Sequence, residues 1–421
     1  MTDSAGIPGG TGAAAGGSKP TRSRRRRLLR WTGLGAAFLV LAGSAGGWWI
    51  YNKLDGNITE DTSAAAELLR YDRDRPAHFA NGAQNILLIG SDSRSGKDNA
   101  RYGQDRGTER SDTTILLHLP ADRRSATAVS IPRDLMADIP ECLMADGSRT
   151  RERRAQFNWA FQWGGAGCTI RTVERLTGIR VDHHMVIDFG GFKKMVDAIG
   201  GVEVCLKQPV DDSEAKLRLP AGRQTLQGEQ ALGFVRARYS LGNGSDTERM
   251  ERQQQFLGSL VKKVQSNGVL LNPARLYPLL DAATSSVTTD PGLASLRGLY
   301  ELVRGVRDIP TDQVKFLTVP RKPYWADPNR DELVEPDASR LFQQLRTDQP
   351  VTVAPPKPEP GTRPGNGTGN GTGDGAGNEP VSATESGAPR DGTGRDGEGT
   401  TGTPVPVPTF TGTTAGMADC R

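Results

Sequence analysis

Histidine is scarce: four residues in 421, at positions 78, 118, 183 and 184. A zinc centre built on several histidines is disfavoured. The four cysteines (142, 168, 205 and 420) show no C-x-x-C spacing, so a thiolate metal cage or a redox dithiol finds no support. No G-x-x-x-x-G-K-[ST] stretch occurs, which argues against a P-loop nucleoside triphosphatase. No internal repeat is present. Basic charge is also sparse across the body of the chain. The net charge is +4, but residues 1–30 carry seven basic side chains against Asp3, and everything beyond Arg30 is slightly acidic. A fold that grips nucleic acid through bulk positive charge is therefore excluded as a reading.

What is present begins with one long uncharged run. Trp31 to Tyr51 spans 21 residues without a charge. As a helix it would extend ~32 Å, enough for a hydrocarbon core of about 30 Å. Arginines precede it, and Trp48, Trp49 and Tyr51 close it as an interfacial belt. The reading is a single-pass cell-membrane anchor with a cytoplasmic N-terminus. A cleaved signal peptide, twin-arginine type included, is the competing reading. Either way residues 52–421 lie outside the cytosol, where an even cysteine count favours disulfides. Cys142–Cys168 is the most natural bridge, closing a polar loop. Spacing alone does not fix the pairing, and buried free thiols are the other reading.

Composition divides the chain into a basic leader (1–30), the anchor (31–51), a polar stalk (52–80), a core domain (81–350) and a tail (351–421). The tail holds 16 glycines and 10 prolines, and Phe410 is its one aromatic residue. It buries too little apolar surface to offset ordering entropy and reads as disordered. Within the core, strands are predicted over Asn85–Ile89, Thr113–Leu119 and Ala126–Ile131. Helices follow over Asn158–Trp163 and Thr169–Thr177. A strand at His184–Asp188, a helix at Gly191–Ile199 and a strand at Val202–Leu206 come next. Gly228–Gly233 reads as a short helix entering a strand, Phe234–Tyr239. A helix from Asp246 carries Met250, Leu257, Leu260, Val261 and Val264 as an apolar stripe. One more strand is predicted near Val314–Val319. The fold class is α/β, a mixed central sheet flanked by helices.

Arginines and aspartates gather where these elements start or stop. Arg110 and Asp112 open the second strand on one side, and Arg236 and Arg238 share a face of the predicted VRARY strand. Asp246, Arg249 and Gln253 form one stripe of their helix. Asp92 and Arg94 follow the first strand, and Arg133 and Asp134 follow the third. Guanidinium forks match phosphate oxygens, and carboxylates beside a diphosphate suit Mg²⁺, with Mn²⁺ as an alternative ion. The combination fits phosphoryl transfer. Taken singly, each arginine is better explained as a surface or salt-bridge residue than as a ligand. Their co-occurrence at element ends carries the reading.

Six segments occur in fixed order: NILLIGSDSR, RSDTTILLHLPADRRSATAVSIPRDLMADIP, NWAFQWGG, LTGIRVDHHMVIDFGGFKKMVDAIGGVEV, LPAGRQTLQGEQALGFVRARYS and DTERMERQQQF. Over residues 84–265 the chain resembles the LytR–CpsA–Psr family of cell-wall glycopolymer ligases in its actinobacterial style. The resemblance implies transfer of a glycosyl phosphate from a polyprenyl-diphosphate-linked glycopolymer, of teichoic acid or arabinogalactan type, to a peptidoglycan hydroxyl such as the muramic acid C6 oxygen. It implies that Asp92 and Asp112 hold Mg²⁺ and that one of them acts as general base. Arg110, Arg133, Arg236, Arg238 and Arg249 would clamp the diphosphate, Gln253 would bond a phosphate oxygen, and Asp246 would orient the arginines. Arg94 and Arg252 are weaker candidates. An apolar channel would take the lipid tail, so membrane lipid, donor glycan and peptidoglycan are the implied partners, without nucleic acid. The competing functions are a non-catalytic regulatory protein that grips anionic polymer, and a lipid-diphosphate pyrophosphatase. Family members often carry Lys where Gln156 stands here, with Arg153 and Arg154 nearby. The loop Ser95–Glu109 reads as a polar cover over the site.

Overall fold

The computed structural model describes residues 22–79, 81–92, 111–237, 246–266, 273–355 and 408–417. Helix α1 (Arg22–Asp55) contains the predicted anchor, and its Arg30–Asp55 segment is long and apolar enough to cross a membrane. The helix does not give way to a free stalk. Leu54 is buried, Asp55 accepts a 2.8 Å hydrogen bond from the Leu296 N–H, and strand β1 (Thr59–Glu60) joins the central sheet. Asp61 caps α2 (Thr62–Arg70), accepting from the Ala64 N–H at 2.9 Å. Ala64 of that helix belongs to the main core, and Glu67 is buried between Arg149 and Arg171. The stretch read as a stalk is polar because it packs through one apolar face and buried ion pairs.

The chain then lays down β2 (Gln84–Ser91), β3 (Ser111–Leu119), β4 (Ala126–Ile131) and the hairpin β5 (Met136–Ile139)–β6 (Arg153–Gln156). Helix α3 (Asn158–Thr177) follows, kinked at Gly164 and Gly165. This is why the sequence pattern broke it into two helices. Gly164 is required there: a Cβ would meet Cys168 Cβ at 2.8 Å and the Leu143 carbonyl at 3.0 Å. The kink lies against a disulfide between Cys142 and Cys168, the bridge expected from sequence. Cys205 is also disulfide-bonded, and Cys420 lies outside the described residues.

Strand β7 (His183–Asp188) leads into α4 (Phe189–Ala198), capped by Asp188. Strands β8 (Val202–Leu206), β9 (Val210–Asp212), β10 (Leu217–Leu219) and β11 (Gly222–Leu226) form two small antiparallel pairs, β8 with β11 and β9 with β10. Next come α5 (Gly228–Arg236), α6 (Asp246–Ser266), α7 (Pro273–Thr284), β12 (Val287–Thr289) and α8 (Leu296–Val306). The chain continues through β13 (Val314–Thr318), the hairpin β14 (Arg321–Tyr324)–β15 (Asp327–Leu333), α9 (Asp337–Arg346) and β16 (Thr352–Ala354). It ends in β17 (Thr409–Thr414).

Nine strands make one mixed sheet in the order β1-β12-β7-β2-β3-β4-β13-β17-β16. Central strand β2 shows why NILLI reads as a buried run. Leu87 and Ile89 pack on one face with α3 and α9, while Ile86 and Leu88 face the other with α6 and α8. Helix α6 bridges two cores. Leu257 and Val261 pack against the sheet, whereas Phe256, Leu260 and Val264 join the cluster built from α4, α5 and the small strands. Two expectations are corrected. Residues 234–236 are helical, so the predicted VRARY strand does not form there. The tail is not disordered throughout: β16 and β17 complete the sheet, and Phe410 is buried in the main core.

Candidate active site

The site lies at one edge of the sheet. Strands β2 and β7 are parallel and end there, antiparallel β3 starts there, and β4 ends there. Gly90 pairs with Thr113 and Ser91 with Ser111, so Asp112 is the extra residue of a β-bulge. Such a bulge re-aims a side chain next to a functional edge. Asp112 Oδ1 meets Arg133 Nη1 at 2.9 Å. The second arm of Arg133, Nε, contacts Asp134 Oδ2 at 3.3 Å. Arg133 thus stands between two carboxylates with its guanidinium plane fixed from both sides.

A cavity of about 360 Å³ opens at this edge. Its polar lining includes Asp112, Arg133, Arg236, Arg249 and Gln253. Its apolar lining includes Leu88 and Ile115, which pair with one another two rungs deeper in the sheet, and Phe189, Phe192, Leu232 and Phe256 from the helices. Asp188, Asp212 and Glu214 also line it, so three guanidinium groups and four carboxylates border an apolar chamber. Guanidinium forks beside such a chamber suit a molecule with a phosphate head and a hydrocarbon tail.

Each cation is placed by its element. Arg236 closes the last turn of α5 and stacks over the Phe189 ring, 4.6 Å from its centroid. Arg249 and Gln253, one turn apart on α6, both line the cavity as the stripe predicts. Arg249 is 5% exposed, and Gln253 donates to the Val235 carbonyl at 3.1 Å. Arg252, the weaker candidate, turns elsewhere: it is buried and donates to the Ala237 carbonyl that ends α5. Burial pushes its guanidinium below the ordinary value, against the opposing pull of Glu248, Asp212 and Glu251. Its work is to hold the end of the helix that presents Arg236. Asp92 follows β2 at the same edge but is not among the residues lining the cavity. Arg94, Arg110, Arg238 and the loop Ser95–Glu109 lie outside the described residues, as does the side chain of Asp246.

The residues also answer the departure at Gln156. Gln156 donates to Asp134 Oδ1 at 2.9 Å. Neither nearby arginine replaces the family lysine: Arg153 stacks on Trp163 and Arg154 pairs with Asp138. A cation arrives instead from β15, where Arg330 Nη1 lies 3.8 Å from Asp134 Oδ1. Sequence reasoning missed Arg330 because its hairpin, PRKPYWADPNRDEL, reads as an ordinary charged loop. Among the described residues no cluster of three or more His, Cys, Asp or Glu side chains forms a metal cage. Asp112 in the cavity lining and Asp92 just after β2 are oxygen donors of the kind Mg²⁺ takes, one or two carboxylates plus substrate phosphate and water.

Residues 55–347 match the LytR_cpsA_psr family, and the chain belongs to it. The chain thus has relatives among cell-wall proteins. The cell wall biosynthesis protein LcpA of Corynebacterium glutamicum is 35% identical over 309 residues, covering 67% of this chain and 58% of LcpA. The chain therefore spans little more than half the length of that relative. TagT of Bacillus subtilis, named a polyisoprenyl-teichoic acid–peptidoglycan teichoic acid transferase, is 27% identical across 75% of this chain and 94% of its own. The crystal structure of B. subtilis TagV shares the fold, with a TM-score of 0.51 and 23% identity over 64% of this chain and 98% of TagV.

Proposed function

We propose that this protein is a membrane-anchored phosphotransferase of cell-wall assembly. It takes a glycopolymer carried on a polyprenyl diphosphate and transfers the glycosyl phosphate to a peptidoglycan hydroxyl. The observation that carries the reading is the convergence of Arg133, Arg236 and Arg249 from three separate elements on one apolar cavity. Family membership and the names of LcpA and TagT support it. Arg30–Asp55 is the anchor, with the arginine-rich end in the cytoplasm and the site outside.

The reaction follows from the charges. The lipid tail occupies the apolar chamber, and the diphosphate lies against the arginines. A hydroxyl oxygen of peptidoglycan bonds to the phosphorus that carries the glycan. The bond from that phosphorus to the bridging oxygen breaks, and polyprenyl phosphate leaves with the bond's electron pair. The hydroxyl proton goes to one of the two carboxylates, Asp92 or Asp112. Arg133, Arg236 and Arg249, with Arg110 and Arg238 of the same motifs, offset the charge that builds on the leaving phosphate. Gln253 orients a phosphate oxygen. Asp92 and Asp112 would hold Mg²⁺, which when bound supplies further charge neutralisation to the diphosphate.

The test is turnover of a polyprenyl-diphosphate glycan by the full chain in lipid nanodiscs, with and without oligomeric peptidoglycan and with Mg²⁺ or a chelator. Transfer that needs both the acceptor and the divalent ion is the expected result. Release of glycan phosphate to water alone would make the protein a pyrophosphatase, and tight binding without turnover would make it an anionic-polymer receptor.

A further inference from the structure

A second concavity shares Arg133 with the apolar cavity, and its lining is mixed, about half polar. It measures about 1370 Å³. Its floor and walls come from the end of β4 (Asp134), the start of α3 (Asn158), the first turns of α6 (Thr247, Glu251) and the β14–β15 hairpin (Lys322, Asn329). One wall is β17, through Thr409 and Thr411, whose side chains are exposed while Phe410 and Gly412 are buried. That strand lies beyond residues 55–347, the span matched by the family. At the tip of the same hairpin, outside the lining itself but between the lining residues Pro323 and Pro328, Trp325 is 81% exposed, with its indole 5.7 Å from the Tyr324 ring.

We propose that this groove binds the acceptor, a peptidoglycan glycan strand, with Trp325 as a stacking platform and β17 as one wall. The inference rests on the transferase reading above and adds where the second substrate lies. Phosphoryl transfer holds the attacking and leaving oxygens roughly in line through phosphorus. The leaving oxygen belongs to the lipid phosphate, on the side of the apolar chamber. The attacking hydroxyl therefore approaches from the side away from the chamber, and the groove, which shares Arg133 with that chamber but none of its other lining residues, is taken as that side. The lining suits a sugar polymer. Amide and hydroxyl side chains (Gln156, Asn158, Gln255, Asn329, Thr409, Thr411) offer donors and acceptors to ring hydroxyls, and both charge signs are interspersed. Asn158 is 4% exposed, and its Oδ1 has no hydrogen-bond partner among the described residues. An exposed indole beside such a groove offers a flat apolar face to the C–H side of a pyranose ring, and aromatic anchors of this kind dominate binding energies.

The experiment uses the full chain in nanodiscs with three readouts: equilibrium binding of labelled peptidoglycan oligomers, affinity for a polyprenyl-diphosphate donor, and the acceptor dependence of transfer. Trp325→Ala and Thr411→Arg alter exposed side chains, so the fold is retained. Each is expected to weaken acceptor binding about tenfold and raise the acceptor KM equally, with donor affinity and kcat unchanged. Unchanged acceptor binding in both variants overturns the proposal. A fall in donor affinity without a change in acceptor binding also overturns it, because the groove would then house the donor glycan. If the native chain transfers nothing, yet loses peptidoglycan binding on substitution, the groove stands and the transferase reading falls.

Discussion

Replacing Arg133 with lysine separates charge from geometry. The native guanidinium reaches Asp112 through Nη1 at 2.9 Å and Asp134 through Nε at 3.3 Å, and it borders both concavities. An ammonium keeps the charge but cannot present a planar fork to two carboxylates and a phosphate together. Loss of one such preorganised contact in the transition state costs about 3 kcal/mol, a roughly 10²-fold fall in turnover. The cost to folding is much smaller. The Arg133 and Asp112 side chains are 22% and 27% exposed, so the pair contributes ~1 kcal/mol or less. The assay is single-turnover transfer at saturating donor, run beside chemical denaturation of the same preparation. Expected are a hundredfold slower transfer and a nearly unchanged unfolding midpoint. Transfer within a factor of about three of native in both Arg133→Lys and Arg133→Ala would refute the role assigned to this side chain.

Arg236→Ala and Arg238→Ala should each slow transfer by a similar order while leaving the fold intact, read by turnover and circular dichroism. Removing the Cys142–Cys168 bridge by paired Ser substitutions frees a loop with a sequence separation of 26, at a cost of about 3 kcal/mol in unfolding free energy by denaturant titration. Burial alone would raise the Asp61 carboxyl, but hydrogen bonds from His184, the Ala64 N–H and Ser63 hold it down at about 2. A depressed carboxylate stabilises the fold above its ordinary titration range and loses that contribution as pH falls, here between about pH 4 and pH 2. Asp61→Asn should flatten that limb of the stability–pH curve, and an unaltered limb would assign the acid sensitivity elsewhere.

The sheet, and the meeting of Asp112, Arg133, Arg236, Arg249 and Gln253 at its end, were legible in the sequence for identifiable reasons. Strand β2 packs on both faces, so Ile86–Ile89 is apolar at every position, and the stripe from Leu257 to Val264 has a helical period. Where residues 234–238 alternate, period gave the wrong answer, because short apolar runs fit both a strand and a helix end. The better signal was Gln230, whose side chain accepts from the Gln227 N–H at 3.3 Å and marks a helix start. Arg330 and β17 were invisible for another reason. Each acts through contacts distant in sequence: Arg330 with Asp134, and β17 with β13 across a Gly/Pro-rich tract. No local pattern encodes a pairing made that far away.

On the anchored-transferase reading proposed above, the junction between α1 and the domain sets the reach of the site. Lys53 donates to the Tyr277 hydroxyl at 2.9 Å and pairs with Asp281 at 3.4 Å, while Leu54 is buried and Asp55 is bonded to the backbone of α8. With the apolar helix in a bilayer, the reactive edge sits at one altitude above the lipid, on a post and not a leash. Encounters with the wall then depend on lateral drift of the whole molecule and on glycan chains that pass at that height. On that reading, newly made strands close to the membrane would be the ones it meets.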